Sequence, residues 1–253
     1  MKRSSVTLGL ILAVIAGLNS TAAAQQFRVY TEVSVPPQNL QPKKMQGEPA
    51  HQRFVIFNGR KLIKTTINFK DIDRMLASAR DETSNHAERL LNRDDRDAKS
   101  IATSLQFQLN PKFEHSFQQQ SLILDLDSPK LGYHVNCGTT PIPEAVEAYM
   151  EYADWTAKLN HVMHPRSLYP APRMKLNASL RKHKVLPVKV QLRVDFDQPL
   201  HLQADHRFAW QLGKIDRQSI QHWENKVGDP SFKNLTFRDY QKAILNETAQ
   251  AAR

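Results

Sequence analysis

Two runs of alternating apolar residues constrain the fold of this chain more than any other feature. Every second residue is apolar over residues 188–196, and the same alternation, broken only by His206, continues over residues 200–212. An alternation of period two is typical of a strand with one buried face. A register slip of one residue would expose that whole face to water. The sequence therefore predicts a long β-hairpin whose apolar side packs against helices.

Three shorter patterns add strands to this hairpin. Residues 27–35 alternate and predict an early strand, after which the proline-bearing residues 36–50 predict a polar loop. Asn58-Gly59 between two apolar runs predicts a hairpin with a two-residue turn, because this dipeptide tolerates positive φ at both positions. A further hairpin is predicted over residues 122–135. Hairpins pair antiparallel strands, so the sheet is expected to be mainly antiparallel.

Amphipathic helices are predicted between the hairpins. The clearest covers residues 144–163, where apolar residues recur at steps of three and four and predict a face that lies on a sheet. Residues 98–109 fit a helix or a strand equally well. Other helices are predicted at residues 70–91 and 173–184, after Asp216 as N-cap, and after a capping box of Thr236 and Asp239. The expected fold class is α+β, with a mainly antiparallel, curved β-sheet of hairpins and long amphipathic helices packed on one face.

The first 24 residues have the three parts of a secretory signal peptide. Lys2 and Arg3 precede an apolar run over residues 6–18, and small residues follow up to Ala24. Such a segment is removed on export, and its apolar run is shorter than the ~20 residues that span a bilayer. A short uncleaved membrane anchor is the alternative interpretation. We therefore expect a periplasmic or extracellular protein in which residues 25–253 form a single α+β domain with no later transmembrane segment.

The charge balance favours anionic partners. Loss of Lys2 and Arg3 with the signal peptide leaves 33 of the 35 basic residues against 25 acidic ones, a net charge of +8. Positive proteins attract nucleic acid, anionic lipid surfaces and acidic polymers. Export disfavours nucleic acid, so a lipid or an anionic polymer is the expected charged partner. A basic surface that only keeps the protein in solution is the simpler alternative.

Several classes of enzyme lack their sequence signature here. The chain has eight glycines, and neither the G-x-G-x-x-G loop nor the Walker loop that cradles phosphates occurs. The G-x-S-x-G elbow of α/β-hydrolases is absent too. Cys137 is the single cysteine, which excludes an internal disulfide and leaves either a small buried hydrophobe or a free thiol. We expect no bound cofactor and no metal ion.

Six residues are candidates for binding a ligand. His206 occupies an inward position of a predicted strand, where an imidazole needs a partner; a core histidine with a satisfied hydrogen bond is the alternative. His161 and His164 lie three residues apart at a helix end, a spacing that suits a metal ion or, alternatively, capping of the helix. The aromatic candidates are Tyr152, Trp155 and Trp210; packing in the core is the alternative, and the periodic apolar faces favour it for the tryptophans.

These features support three hypotheses for function. The first is a noncatalytic exported protein that binds a lipid, a small apolar ligand or an anionic ligand in the crevice between the curved sheet and the helix at residues 144–163. The second is a metal- or carboxylate-dependent hydrolase of envelope polymers, which requires His161, His164 and His206 to converge with a carboxylate. The third is a basic envelope scaffold protein. The basic patch consists of Arg173, Lys175, Arg181, Lys182 and Lys184, and the carboxylates considered for hydrolysis are Glu144, Glu147, Glu151 and Asp154.

Three segments resemble a family of exported bacterial proteins of unknown function. They are residues 152–160 (YADWTAKLN), 173–180 (RMKLNASL) and 204–212 (ADHRFAWQL). The resemblance covers most of the mature chain, and it implies a signal peptide and strand-rich halves on either side of the helix that carries the Tyr-Ala-Asp-Trp sequence. It implies no activity and no site residues. A looser similarity, at the level of fold alone, is to periplasmic lipoprotein carriers.

Overall fold

The computed structural model describes residues 10–12, 28–35, 38–39, 45–48, 52–165, 167–196 and 199–251. The predicted signal peptide lies outside these residues except for a short strand at Leu10–Leu12 (β1), so export stays a prediction. The described residues form six helices and two sheets, and the strands pair mainly antiparallel. The expected α+β class is therefore confirmed.

The larger sheet contains the predicted long hairpin. Its order is β1, β2 (Arg28–Val35), β11 (Leu200–Ala209), β10 (Leu186–Val194), β9 (Leu131–Gly138), β8 (Ile123–Asp127) and β7 (Glu114–Gln118), and β3 (Gln38–Asn39) pairs with β2. All of these pairs are antiparallel. β10 and β11 pair from Lys189 opposite Asp205 to Val194 opposite Leu200, which confirms the hairpin. Residues 197 and 198 of its turn lie outside the described residues.

Two residues of this hairpin depart from the predicted alternation: Leu200, the first residue of β11, is 39% exposed, and Val188 is exposed as well. Val188 is expected on the buried face, yet 43% of it is exposed. The register of β10 against β9 shifts between Pro187 and Lys189, and such a bulge re-aims the side chain within it. Beyond the bulge the predicted pattern holds, because Val190 and Val194 are buried.

The smaller sheet has the order β12 (Lys233–Asn234), β6 (Ile63–Asn68), β5 (Arg53–Asn58) and β4 (Met45–Glu48). β12 joins β6 in parallel, and the other pairs are antiparallel. Both β3 and β4 fall within residues 36–50, so the prediction of a polar loop there is wrong over these strands. Edge strands are often short and polar, and they need no apolar alternation to pair through their backbones.

The hairpin of β5 and β6 forms as predicted, but its turn differs. Four residues, 59–62, lie between the paired Asn58 and Ile63. Positive φ occurs at Leu62 (50°) and not at a glycine among the described residues. The Oδ1 atom of Asn58 accepts hydrogen bonds from the N–H groups of Arg60 and Lys61, each at 3.0 Å. The asparagine side chain thus closes a longer turn, and the predicted two-residue turn is wrong.

The described helices are α1 (Phe69–Leu91), α2 (Arg96–Leu109), α3 (Glu144–Met163), α4 (Ala171–His183), α5 (Lys214–Gly228) and α6 (Phe237–Ala251). The residues that fitted a helix or a strand, 98–109, lie in α2 and are helical. Within the described ranges, none of the helices combines the length and the apolar content needed to cross a bilayer.

The starts of the last two helices test the predicted caps. Thr236 caps α6 as predicted, since its Oγ1 accepts a hydrogen bond from the N–H of Asp239 at 3.2 Å. α5 begins earlier than predicted, with Gly213 as its N-cap. Asp216 is the third helical residue and accepts a hydrogen bond from the N–H of Gly213 at 2.9 Å. The prediction of Asp216 as N-cap is therefore wrong, although its carboxylate still satisfies a free N–H at the helix start.

α3 lies between the two sheets. One side of the helix joins the core of the larger sheet, which we call the large-sheet core, through Ala145, Val146, Tyr149, Met150 and Ala153. Another side joins the core of the smaller sheet, the small-sheet core, through Tyr152, Leu159 and Val162. The helix therefore buries two faces, where the sequence predicts one.

Candidate functional site

His206 lies in the interior, against α3. Its side chain is 6% exposed, and its Nδ1 atom lies 3.5 Å from the hydroxyl oxygen of Tyr149. Burial, with a smaller contribution from the positive charge of Arg173, lowers the pKa of His206 from 6.5 to about 3. The imidazole is therefore neutral near pH 7. This environment fits a core histidine.

Three other candidates belong to the small-sheet side of α3. Tyr152 is 4% exposed, and Trp155 stacks on Phe69 with ring centroids 3.8 Å apart. His161 is 8% exposed, and its Nδ1 atom lies 3.2 Å from the carbonyl oxygen of Ser167. Burial lowers the pKa of His161. All three side chains pack within the protein.

His164 and Trp210 lie at the ends of their elements. His164 is the C-cap residue of α3, and its N–H donates to the carbonyl oxygen of Asn160 at 2.9 Å. Trp210 follows β11 and stacks on Phe208 at 5.6 Å beside the large-sheet core. The six candidates thus divide between two cores and a helix end.

The structure does not assemble the site that the hydrolase hypothesis requires. Among the residues that the structure describes, no group of three or more His, Cys, Asp or Glu side chains is placed to hold a metal ion. Two of the four carboxylates of α3, Glu147 and Asp154, pair instead with Arg181 of α4. The convergence of His161, His164 and His206 with a carboxylate that this hypothesis requires is therefore not found as a metal site among the described residues.

The crevice expected between the sheet and α3 is closed by packing. Tyr149 and Met150 of α3 are 2% and 0% exposed. They form one continuous cluster with Leu131 and Val135 of β9, both 0% exposed. Protein interiors of this kind are packed as densely as organic crystals. The contact between α3 and the sheet is therefore core, and a site between sheet and helix has to lie elsewhere.

The predicted basic patch divides between structural and exposed residues. Arg181 Nη2 pairs with Asp154 at 2.8 Å, and its Nε pairs with Glu147 at 3.1 Å. Arg173 Nε donates to the Oδ1 of Asn177 at 3.0 Å, within α4. Both arginines are thus held by polar partners on α3 and α4. Among the described residues, the lysines of the patch are not found in such pairs.

A cavity of about 330 Å³ lies between α4 and the edge strand β7, and we call it the α4 pocket. Lys175 and Ser179 line it from one face of α4, because two residues four positions apart lie on the same face of a helix, about one turn from each other. His115 lines it from β7, where it stands opposite the buried Leu126 and so on the helix-covered side of the sheet. Its other lining residues are Pro111, Lys112, Phe113 and Leu126.

The surroundings of the α4 pocket are positive. None of its described lining residues is acidic, and two are lysines. His183, the last residue of α4, lies beside His115, and its pKa is lowered by partial burial and then by the charges of His115 and Lys182. The two lysines of the lining favour the binding of an anion.

A larger cavity of about 540 Å³ lies on the opposite face of the larger sheet, and we call it the polar-face cavity. Asp125, His134, Gln191 and Gln203 form a row across four of its strands. His134 Nδ1 lies 2.6 Å from Asp125 Oδ1, and Gln191 Nε2 donates to Gln203 Oε1 at 3.5 Å. The polar groups of this cavity are therefore largely paired with one another.

Arg193 crosses the polar face above Gly132. Its Nη2 pairs with Asp127 at 2.7 Å, and its Nη1 pairs with Asp195. Gly132 stands opposite Arg193 in the register, and a β-carbon there would lie 2.8 Å from Asp127 Oδ1 and 3.2 Å from Arg193 Nη2. The glycine thus makes room for the ion pair. Two carboxylates therefore offset the guanidinium charge, and one of them, Asp127, also lines the polar-face cavity.

Cys137 is a protonated thiol at neutral pH. Burial raises its pKa to about 11, and its Sγ donates to the carbonyl oxygen of Val135 at 3.7 Å. A thiol acts as a nucleophile only after it loses its proton. The environment of Cys137 fits a small, partly buried hydrophobe.

No local sequence signal marks the α4 pocket. Lys112 and His115 lie three residues apart at the start of β7, whereas Lys175 lies in α4, 60 positions after His115. β7 carries no apolar alternation, so the sequence predicts no strand there. The one available signal is the four-residue spacing of Lys175 and Ser179 within a predicted helix.

Comparisons of the chain with protein-family models, with curated proteins and with solved structures found no match. The resemblance to a family of exported proteins stays a prediction. Functional conclusions therefore depend on the geometry described above.

Proposed function

We propose that this protein is exported and binds an anionic polymer without transforming it, and that the α4 pocket holds an anionic group of that polymer. The observation that carries the proposal is the lining of the pocket. Lys112, His115, Lys175 and Ser179 face a common space, and no acidic side chain lines it within the described residues. The net charge of +10 supports the same class of partner.

The lining suits a phosphate, sulfate or carboxylate group. A lysine ammonium is a compact charge with three donors, and a hydrogen bond to a charged acceptor is about twice as strong as a neutral one. Ser179 and His115 supply further donors. The cavity is at the small end of the ~300–1,000 Å³ range of ligand sites, which favours one group of a longer ligand.

The polar-face cavity is the weaker candidate for an anion. Its cation, Arg193, is already paired with Asp127 and Asp195. An anion there would compete with carboxylates that are fixed nearby. The lysines of the α4 pocket face no such competition, which is why we place the ligand there.

The proposal is tested by titrating the chain with a sulfated polysaccharide, such as heparin, at increasing NaCl concentrations. We expect the double variant Lys112→Ala/Lys175→Ala to bind at least about tenfold more weakly, because each lysine supplies a charge-assisted contact. Binding by the unmodified chain should also weaken steadily as salt screens the charges.

The matched control is Lys214→Ala/Lys233→Ala, which removes the same charge from exposed positions on α5 and β12. Equal losses in the two double variants would show that net charge alone drives binding. That result, or binding that does not respond to salt, would contradict the proposed site.

Export is tested separately. When the full chain is expressed in a Gram-negative host, the protein recovered from the periplasm should have a mass that begins at Gln25. An intact N-terminus on protein that stays in the cytoplasm would contradict export and leave the binding experiment unaffected.

A further inference from the structure

His115 and His183 face each other where the end of α4 meets the edge strand β7. Their Nε2 atoms are 3.3 Å apart, although 68 positions separate them in the sequence. Their ring centroids are 5.2 Å apart, and the ring planes differ by 14°. Phe117, on the same strand as His115, stacks on His183 with centroids 4.0 Å apart. This stacking limits the freedom of the His183 ring.

The separation of these rings suits two ligands of one ion. A tetrahedral ion bonded to two imidazole nitrogens at about 2.05 Å holds the nitrogens roughly 3.3–3.4 Å apart and the ring centres roughly 5.2 Å apart. Both distances agree with those between His115 and His183. The geometry points to a two-histidine site for a divalent transition-metal ion, formed by the Nε2 atoms of His115 and His183.

The chemistry of the pair is suited to such an ion. A metal binds the neutral imidazole through a ring nitrogen that carries no proton. With no metal bound, one ring can donate its Nε2 proton to the other; when the ion binds, that proton moves to Nδ1 of its own ring, so that both Nε2 atoms can bind the ion. Imidazole ligands suit zinc, which is four-coordinate and tetrahedral in most protein sites.

The described side chains supply two ligands to this ion and no more, because no third His, Cys, Asp or Glu joins them. The remaining coordination positions are open to water or to another ligand from solution. The ion would link β7 to the end of α4, and an ion that binds only the folded chain stabilises it. His115 also lines the α4 pocket, whereas His183 does not, so variants of His183 separate this inference from the anion proposal.

The test uses the full chain without a histidine tag and titrates it with Zn²⁺. We expect one bound Zn²⁺ per chain by calorimetry and a higher Tm, and Co²⁺ in place of Zn²⁺ should give the strong visible absorption of a tetrahedral site. His115→Gln and His183→Gln should each weaken Zn²⁺ binding at least about tenfold and remove the Tm shift.

The matched control is His134→Gln, which removes an exposed histidine from the opposite face of the same sheet. This variant should keep the Zn²⁺ affinity and the visible absorption of the Co²⁺ form. Loss of binding in His134→Gln, or its retention in both His115→Gln and His183→Gln, would overturn the site. His115 is exposed, so its variant is expected to fold even if the His183 variant does not. Heparin binding by His183→Gln should be unchanged, which separates this outcome from failure of the anion proposal.

Discussion

At the scale of single residues, the hydroxyl group of Thr65 lies in an apolar environment. The residue is 0% exposed on β6 between the buried Ile63 and Ile67, and its Oγ1 has no hydrogen-bond partner among the described residues. A buried polar group without a partner costs about 1–3 kcal/mol. We expect Thr65→Val to raise the free energy of unfolding in urea by about 1 kcal/mol. Thr66→Val, on the exposed side of the same strand, should leave it nearly unchanged. An equal gain in both variants would point to strand propensity.

His206 should make the protein sensitive to acid. The ordinary pKa of a histidine, which applies in the unfolded chain, is 6.5. In the folded chain the pKa of His206 is about 3, mainly because the ring is buried. Below pH 6.5 the unfolded chain takes up a proton that the folded chain does not, so folding weakens as the pH falls. We expect the free energy of unfolding to drop by about 1.4 kcal/mol for each pH unit between about 6 and 4 through this residue.

The measurement is urea unfolding at a series of pH values. His206→Gln, which cannot titrate, should give a flatter profile than the unmodified chain, whatever its absolute stability. His222→Gln removes an exposed histidine and should keep the original slope. An unchanged slope in His206→Gln would show that other groups cause the acid sensitivity.

At the scale of elements, a polar contact joins α3 to α4. Asp154 accepts a hydrogen bond from the Nδ2 of Asn177 at 2.7 Å and pairs with Arg181 at 2.8 Å. Asn177 is 0% exposed, so loss of Asp154 would leave a buried amide without this acceptor. We expect Asp154→Ala to lower the free energy of unfolding by about 2–3 kcal/mol. Glu151→Ala, an exposed carboxylate on the same helix, should change it by less than about 0.5 kcal/mol.

The elements also show which parts of the fold the sequence could predict. The hairpin of β10 and β11 and the helix α3 have long patterns of a single period, and both form as predicted. β4 and β7 are short and polar, so they have no such pattern and were missed. Edge strands pair through their backbones, and backbone pairing does not appear in side-chain periodicity.

The candidate sites were less predictable than the elements. Each of the six candidate residues stands out within a local sequence pattern. Residues of this kind mostly pack in a core. The α4 pocket and the pair of His115 and His183 exist only because α4 packs beside β7, an edge strand that was not predicted. Contacts between distant segments of this kind require the tertiary structure.

At the scale of the whole molecule, α3 should make the two cores unfold together. Leu159 is 0% exposed in the small-sheet core, and its truncation to alanine is expected to cost about 2–5 kcal/mol. Trp155 reports on that core, and Trp210 reports on the large-sheet core. Two versions of the chain are needed, one that keeps only Trp155 and one that keeps only Trp210. Leu159→Ala should lower the urea midpoint measured by fluorescence by the same amount in both versions. A shift confined to the Trp155 signal would mean that the sheets unfold separately.

The crossing of Arg193 over Gly132 has an evolutionary consequence. A β-carbon at position 132 would lie 2.8 Å from the Asp127 carboxylate, so a substitution there has to displace the side chains of the bridge. We therefore expect Gly132, Asp127 and Arg193 to be inherited together. In descendants of a common ancestor, a bulkier residue at position 132 should coincide with loss of the acid at 127 or the arginine at 193.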